Sequence, residues 1–214
     1  MAKYSLPEGI YGITAERFSR GRLNVEVVSQ MLNAGVKVVQ YREKHTQKTF
    51  RQMFQELEVI RQLTRRHHAL LIVNDYIDLA LAVDADGVHT GQDDLPPQAV
   101  REQIGPDKIL GISTHSPEQA LAALKAGADY IGVGPIFATQ TKEDVCEPVG
   151  LEYLSFVVEN IPLPFVAIGG IKEHNIEAVL ERGARRVALV TEIVGAEDIV
   201  QKINNLQAVM KRYL

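Results

Sequence analysis

Tryptophan is absent from the 214 residues, and cysteine occurs once, at Cys146. A single thiol excludes an intramolecular disulfide, and without companion ligands it cannot start a structural zinc site. Long apolar runs are also missing: no stretch approaches the ~20 residues a helix needs to cross a bilayer. Residues 1–10 carry neither a basic start nor an apolar core and do not read as a signal peptide. Charge of one sign is scarce. Lys and Arg number 23 against 27 Asp and Glu, a net charge of −4, so nothing points to a nucleic-acid or anionic-membrane surface. The expectation is a cytoplasmic protein whose anionic ligands, if it has any, are held by local clusters of cations. Common short motifs are missing as well. There is no Walker A loop and no His-Glu-x-x-His, and Gly132-Val133-Gly134 runs into Pro-Ile-Phe instead of completing a dinucleotide fingerprint. His67 and His68 would diverge by about 100° on a helix, which makes them a poor metal pair.

What is present is a repeat of short β-rich segments: Gly9–Thr14, Val36–Tyr41, Leu70–Asn74, Gly87–Thr90, Ile109–Ser113, Tyr130–Val133, Phe165–Ile168 and Val187–Val190. Their Val, Ile and Leu content suits parallel strands buried on both faces. Helical patterns lie between them, among them Val25–Asn33, Phe50–His67, Gln119–Lys125 and Ile176–Glu181. Small joints precede several strands, at Ala34-Gly35, Ala85-Asp86-Gly87, Ala126-Gly127-Ala128 and Arg182-Gly183-Ala184. A glycine there can take the left-handed conformation that ends a helix. Ser116-Pro117-Glu118-Gln119 combines an N-cap, a proline at the first helical position and a Gln at N3. No linker or low-complexity tract divides the chain. Eight alternating units predict one (β/α)₈ TIM barrel spanning residues 1–214, with a doubly wound open sheet as the competitor. Candidate ligand residues follow seven of the eight strands, and a closed barrel would gather them at one mouth.

In Gln40-Tyr41-Arg42-Glu43-Lys44, strand alternation would turn Gln40, Arg42 and Lys44 the same way if the chain stays extended. Arg with paired N–H donors and Lys as a point charge suit a diphosphate. The bland alternative is a solvated strand end with Glu43 as a salt-bridge partner. Asp75 and Asp94 follow neighbouring strands and could supply the carboxylates that Mg²⁺ favours. Taken singly, each also reads as a helix cap, Asp75 before Tyr76 and Asp94 before Leu95-Pro96. Because Ser116 can cap the next helix, Ser113 is left for a ligand; His115 reads as an acid/base or as a loop residue without a role. Thr139, Thr141 and Lys142 lie on a long polar loop that is either a phosphate clamp or ordinary surface. Gly169-Gly170 and Val190-Thr191 follow the last two strands, where barrels often bind phosphate on backbone N–H groups.

The segments VVQYREK, LIVNDYIDLALAVDADGVHTGQDDLP, LGISTHSPEQA, ADYIGVGPIFATQTKED and PFVAIGGI, in this order, resemble the thiamine phosphate synthase family over nearly the whole chain. The resemblance implies a transferase that joins a hydroxymethylpyrimidine diphosphate to a hydroxyethylthiazole phosphate with Mg²⁺. It assigns Gln40, Arg42, Lys44 and Asn74 to the pyrimidine diphosphate, and Asp75 and Asp94 to Mg²⁺. Ser113 and Lys142 fall near the pyrimidine and the leaving diphosphate, so that Arg42, Lys44, Ser113 and Lys142 form the catalytic set. Thr139, Thr141, Gly170, Val190 and Thr191 fall to the thiazole phosphate. Ala138 stands where the family often has proline, and Thr191 where it often has serine. The partners implied are small molecules, without nucleic acid or membrane; a homo-oligomer is compatible with the sequence, which does not specify the assembly. Two rivals are a related thiazole tautomerase using His115, and a non-catalytic paralogue that binds without reacting.

Overall fold

A computed structural model describes residues 6–44, 46–139, 141 and 147–213. Its strands are β1 (Gly9–Ile13), β2 (Val38–Tyr41), β3 (Leu70–Asn74), β4 (Gly87–Thr90), β5 (Ile109–Thr114), β6 (Tyr130–Val133), β7 (Phe165–Ile168) and β8 (Arg186–Ala188). Each pairs in parallel with the next, and β8 pairs with β1 through Gly9–Arg186 and Ile10–Val187, so the sheet is a closed barrel. The open doubly wound sheet is thereby excluded. The helices are α1 (Asn24–Asn33), α2 (Phe50–Arg66), α3 (Ile77–Ala82), α4 (Pro97–Ile104), α5 (Pro117–Lys125), α6 (Gly150–Asn160), α7 (Ile176–Glu181), α8 (Val190–Val194) and α9 (Ile199–Met210).

Strand alternation divides the buried residues into two sets. Outward residues such as Val39, Tyr41, Leu71, Val73, Leu110 and Ile131 meet the helix ring. Inward residues, among them Tyr11, Ile13, Val38, Ile72, Ile109, Tyr130 and Val166, fill the barrel, with Leu6 packed among them. Inside and outside are both apolar at mid-barrel, which is why these strands read as continuous hydrophobic runs.

Helix ends follow local chemistry. Thr49 caps α2 by accepting from the Gln52 amide at 3.2 Å, and the Gln52 side chain returns to the Thr49 amide at 2.9 Å. Ser116 caps α5 from the Gln119 amide at 3.3 Å, but the Gln119 side-chain Oε1 accepts from the His115 amide at 2.7 Å. Gly35, Gly127 and Gly183 take the left-handed conformation expected at the joints. Gly87 does not. The turn before β4 is made by Asp84 at φ 52°, and Gly87 is needed inside the strand, where a Cβ would lie 2.3 Å from the Ile109 carbonyl oxygen.

One device recurs at the closed end of the barrel. Asp86 accepts from the β3 amide of Leu71 at 2.7 Å and from Arg61 at 2.7 and 3.1 Å. Asp129 repeats it, accepting from the β5 amide of Leu110 at 2.8 Å and from Arg101 at 2.7 Å. Carboxylates that hold a strand amide and an arginine together satisfy one another away from water. They anchor the end of the barrel remote from the candidate site.

Candidate active site

The last inward-facing positions of β2, β3, β4 and β5 are Gln40, Asn74, His89 and Ser113. Polar side chains therefore replace the apolar filling where the strands reach the C-terminal mouth, the face on which barrel enzymes carry their sites. Gln40, Asn74 and His89 are buried.

β2 stops at Tyr41, so Arg42 and Lys44 project from the loop beyond it, not from a continuing strand. Arg42 is fixed by its backbone. Its amide donates to the fully buried Thr14 Oγ1 at 2.8 Å, and that hydroxyl donates back to the Arg42 carbonyl at 3.1 Å. Among the described residues no carboxylate pairs with the half-buried Arg42 guanidinium. Glu43 does not serve it as a partner. Glu43 is buried on the other side, accepting from Asn24 Nδ2 at 2.8 Å and from the Lys44 amide at 3.3 Å. The solvated strand end is thus replaced by a buried carboxylate that leaves the neighbouring cations turned elsewhere.

Lys44 Nζ lies 3.7 Å from Asp75 Oδ2, bringing a cation from beyond β2 beside a carboxylate from beyond β3. Asp75 sits at φ 62°, an uncommon backbone state for a residue other than glycine. Its amide donates to the His89 carbonyl at 2.9 Å, which pins this turn to β4. Asp75 is not a helix cap: α3 starts at Ile77, its N-cap is Tyr76, and no side chain caps it. Asp94 is no cap either, since Pro96 holds that position for α4. Asp94 is exposed, and its Oδ2 accepts from the Gly91 amide at 2.6 Å across a tight turn after β4. Both carboxylates thus lie at adjacent strand ends. Among the described residues no group of three or more His, Cys, Asp or Glu side chains could cage a metal. Two carboxylates fit Mg²⁺ nonetheless, because it is commonly held by one or two carboxylates plus waters and substrate phosphates.

On the opposite rim, the loop after β6 is laced to the end of β7. The Ile136 amide donates to the Ile168 carbonyl at 2.9 Å and the Phe137 amide to the Gly169 carbonyl at 3.0 Å. Thr139 and Thr141 hydroxyls face each other at 3.1 Å. Lys142, assigned to the same cluster from sequence, lies outside the described residues. Gly170, at φ 63°, closes against this loop, with no room for a side chain. β8 ends two residues earlier than the sequence pattern predicts. Val190 and Thr191 therefore belong to the first turn of α8, Val190 reaching the barrel filling and Thr191 Oγ1 accepting from Lys172 Nζ at 2.9 Å. Glu192 beside it faces Lys172 at 3.4 Å and Lys202 at 3.3 Å. Burial opposes ionisation of Glu192, but the two ammonium groups win and hold its carboxyl below the usual carboxylate range.

His115 stands apart from these groups. Its Nδ1 is bonded to the Gly134 carbonyl oxygen at 2.5 Å, and it lines a hollow between α5 and α6 with Val149, Tyr153 and Phe156. The sequence reading missed His89, Tyr11, Tyr130 and Lys172. For the first three a usable signal existed: they occupy inward positions of β4, β1 and β6 by the same alternation that selected Gln40.

A model of the thiamine monophosphate synthase family matches residues 10–193. The thiamine-phosphate synthase of Pelotomaculum thermopropionicum is 64% identical over 207 residues, covering 97% of this chain and 94% of that protein. That of Caldicellulosiruptor bescii is 53% identical over 204 residues, covering 95% and 92%. A solved thiamine phosphate pyrophosphorylase from Pyrococcus furiosus superposes with a TM-score of 0.88 at 39% identity, covering 96% of each chain. With matches spanning every strand that carries a mouth residue, the chain belongs to the thiamine monophosphate synthase family.

Proposed function

We propose that this chain is a Mg²⁺-dependent thiamine phosphate synthase, joining a hydroxymethylpyrimidine diphosphate to a hydroxyethylthiazole phosphate. The observation that carries the reading is the cationic edge of the mouth. Arg42 is held by Thr14 and pairs with no carboxylate among the described residues, and Lys44 is placed 3.7 Å from Asp75. In a protein of net charge −4, a half-buried guanidinium that pairs with no carboxylate among the described residues suits an anionic ligand.

In this reading the C–O bond between the pyrimidine methylene and the diphosphate breaks, and its electron pair leaves with the diphosphate. The aminopyrimidine ring delocalises the resulting cation. The thiazole nitrogen lone pair then forms the C–N bond, giving thiamine phosphate and diphosphate. Asp75 and Asp94 would hold Mg²⁺, which would supply Lewis-acid stabilisation of charge on the leaving group. Arg42 and Lys44 add fixed positive charge at the same place, with Lys142 assigned there by the family pattern, and such preorganised charge is commonly the largest catalytic contribution. Gln40, Asn74 and Ser113 orient the pyrimidine. Thr139, Thr141 and backbone groups of Gly170, Val190 and Thr191 receive the thiazole phosphate. No protein nucleophile is required.

The tautomerase reading needs His115 at the reacting centre, but its Nδ1 is bonded to the Gly134 carbonyl and the residue lines the hollow between α5 and α6, outside the cluster. The test is to mix both substrates with purified protein, with Mg²⁺ or with chelator. The expected result is thiamine phosphate and diphosphate in equal amounts, lost with chelator and restored by Mg²⁺. Undiminished coupling in chelator would overturn the metal assignment, and isomerised thiazole phosphate without coupled product would overturn the function.

A further inference from the structure

Five buried or half-buried side chains form a continuous hydrogen-bonded chain across the barrel interior. Gln40 Nε2 lies 3.1 Å from Tyr11 Oη. Tyr11 Oη lies 2.6 Å from Tyr130 Oη, which lies 2.9 Å from His89 Nδ1. His89 Nε2 then lies 2.9 Å from Ser113 Oγ. The relay begins and ends on residues already placed at the mouth, and its middle three belong to no part of the reaction described above.

We infer that this relay is a positioning device that sets the hydrogen-bonding polarity of the mouth, with His89 held as the neutral Nε2–H tautomer. The reasoning is a count of protons. An amide nitrogen only donates, so Tyr11 Oη accepts from Gln40. The Tyr11 proton needs an acceptor in a buried place, and the oxygen beside it is Tyr130 Oη. Tyr130 in turn gives its proton to His89 Nδ1. A neutral imidazole that accepts at Nδ1 carries its hydrogen on Nε2, which donates to Ser113 Oγ. The Ser113 proton is left for a ligand acceptor, while Gln40 keeps Oε1 for a ligand donor.

Burial raises the pKa of both tyrosines, Tyr11 despite its bonds to Tyr130 and Gln40, and Tyr130 with the added influence of Tyr11. They therefore stay as hydroxyls that both accept and donate, as a directional relay requires. The barrel is also shaped around them. A Cβ at Gly111 would lie 2.2 Å from Tyr130 Cζ. One inward position of β5 is thus without a side chain where the Tyr130 ring lies, in a place where apolar filling would cost less.

Resting on the synthase reading, the polarity names what the mouth selects. An acceptor at Gln40 and a donor at Ser113 complement an aminopyrimidine, which offers N–H hydrogens and ring-nitrogen lone pairs. A pyrimidine with an oxo group in place of the amine offers the reverse at that edge. Sites built to satisfy a polar group reject analogues that leave it unpaired far more strongly than apolar pockets reject a size change.

Tyr130→Phe breaks the relay at its centre with nearly unchanged volume. The KM for the pyrimidine diphosphate should rise about 10-fold, the effect of roughly one lost hydrogen bond, while the KM for the thiazole phosphate stays unchanged. Preference for the amino over the oxo pyrimidine should narrow. In a Ser113→Ala background the same change should add little, because the relay then has no end to position. Independently of any substrate, ¹⁵N NMR of the histidine side chains, with His89→Gln to assign the signal, should show His89 protonated on Nε2. An Nδ1–H tautomer would overturn the inference, and so would a Tyr130→Phe variant with unchanged pyrimidine KM and analogue preference. If the parent protein makes no thiamine phosphate, the functional reading fails instead, and the tautomer still decides the relay.

Discussion

Gly170→Ala is the substitution that most directly couples the fold to the proposed thiazole side. Gly170 has φ 63°, and a Cβ there would stand 2.5 Å from the Ala138 carbonyl oxygen and 2.6 Å from that of Phe137. Carbon–oxygen contacts normally begin near about 3.3 Å, so these carbonyls must retreat by about 0.7 Å. Neither is a side chain that can swing away. Both belong to the strip pinned to β7 by the Ile136 and Phe137 amides. Left-handed strain for alanine costs roughly 1–2 kcal/mol, and overpacking roughly 1–3 kcal/mol. For a domain of this size the sum lowers Tm by about 4–20 °C. The same shift carries Thr139 with it. Because displacements near 1 Å can cost on the order of 10²-fold in rate, kcat/KM for the thiazole phosphate should fall by about 10- to 100-fold. The control is Gly127→Ala, at φ 78° with nothing within 4 Å of its Cβ. It suffers the strain alone and should lose a few degrees of Tm but no activity. Thermal denaturation and steady-state kinetics with the thiazole phosphate varied make the measurement. If Gly170→Ala loses stability yet keeps kcat/KM within two-fold, the loop after β6 does not position that substrate.

Asp75→Asn and Asp94→Asn should each lower Mg²⁺-dependent coupling by roughly 10²–10³-fold with little change in Tm, measured by a product assay over a Mg²⁺ series. Normal turnover at low Mg²⁺ in both would remove them as ligands. His115→Asn should keep most coupling activity, since the residue lines the hollow between α5 and α6 away from the mouth cluster; a loss of 10²-fold or more would return it to the chemistry. Glu192→Gln should lower Tm at pH 7. A carboxyl whose pKa is held down in the fold stabilises above its unfolded pKa, near about 4.3, and loses that contribution as pH falls through the folded value. The Tm gap to the parent should therefore close on acidification below about pH 4, and a gap that widens instead would refute the ion-pair account.

Periodicity along the chain sufficed for the barrel because its signals are local. Runs of β-branched residues four to six long, separated by amphipathic helices and glycine joints, admit few closed arrangements, and β3, β4, β6 and β7 fall where the pattern puts them. Alternation within β2 also sufficed to turn Gln40 into the barrel, and the Ser116 cap sufficed to leave Ser113 for the mouth. Three matters depended on the tertiary structure. The role of Asp75 rests on a left-handed turn stitched to His89 across two strands, which no neighbour in sequence announces. The end of β8 at Ala188 is set by packing of α8, so Val190 and Thr191 changed element although they kept their place at the rim. The relay from Gln40 to Ser113 joins residues up to 119 positions apart, between Tyr11 and Tyr130. Hydrogen-bond polarity of that kind exists only once the barrel has closed and water has been excluded from its interior, because until then each hydroxyl and ring nitrogen is satisfied by solvent and carries no direction.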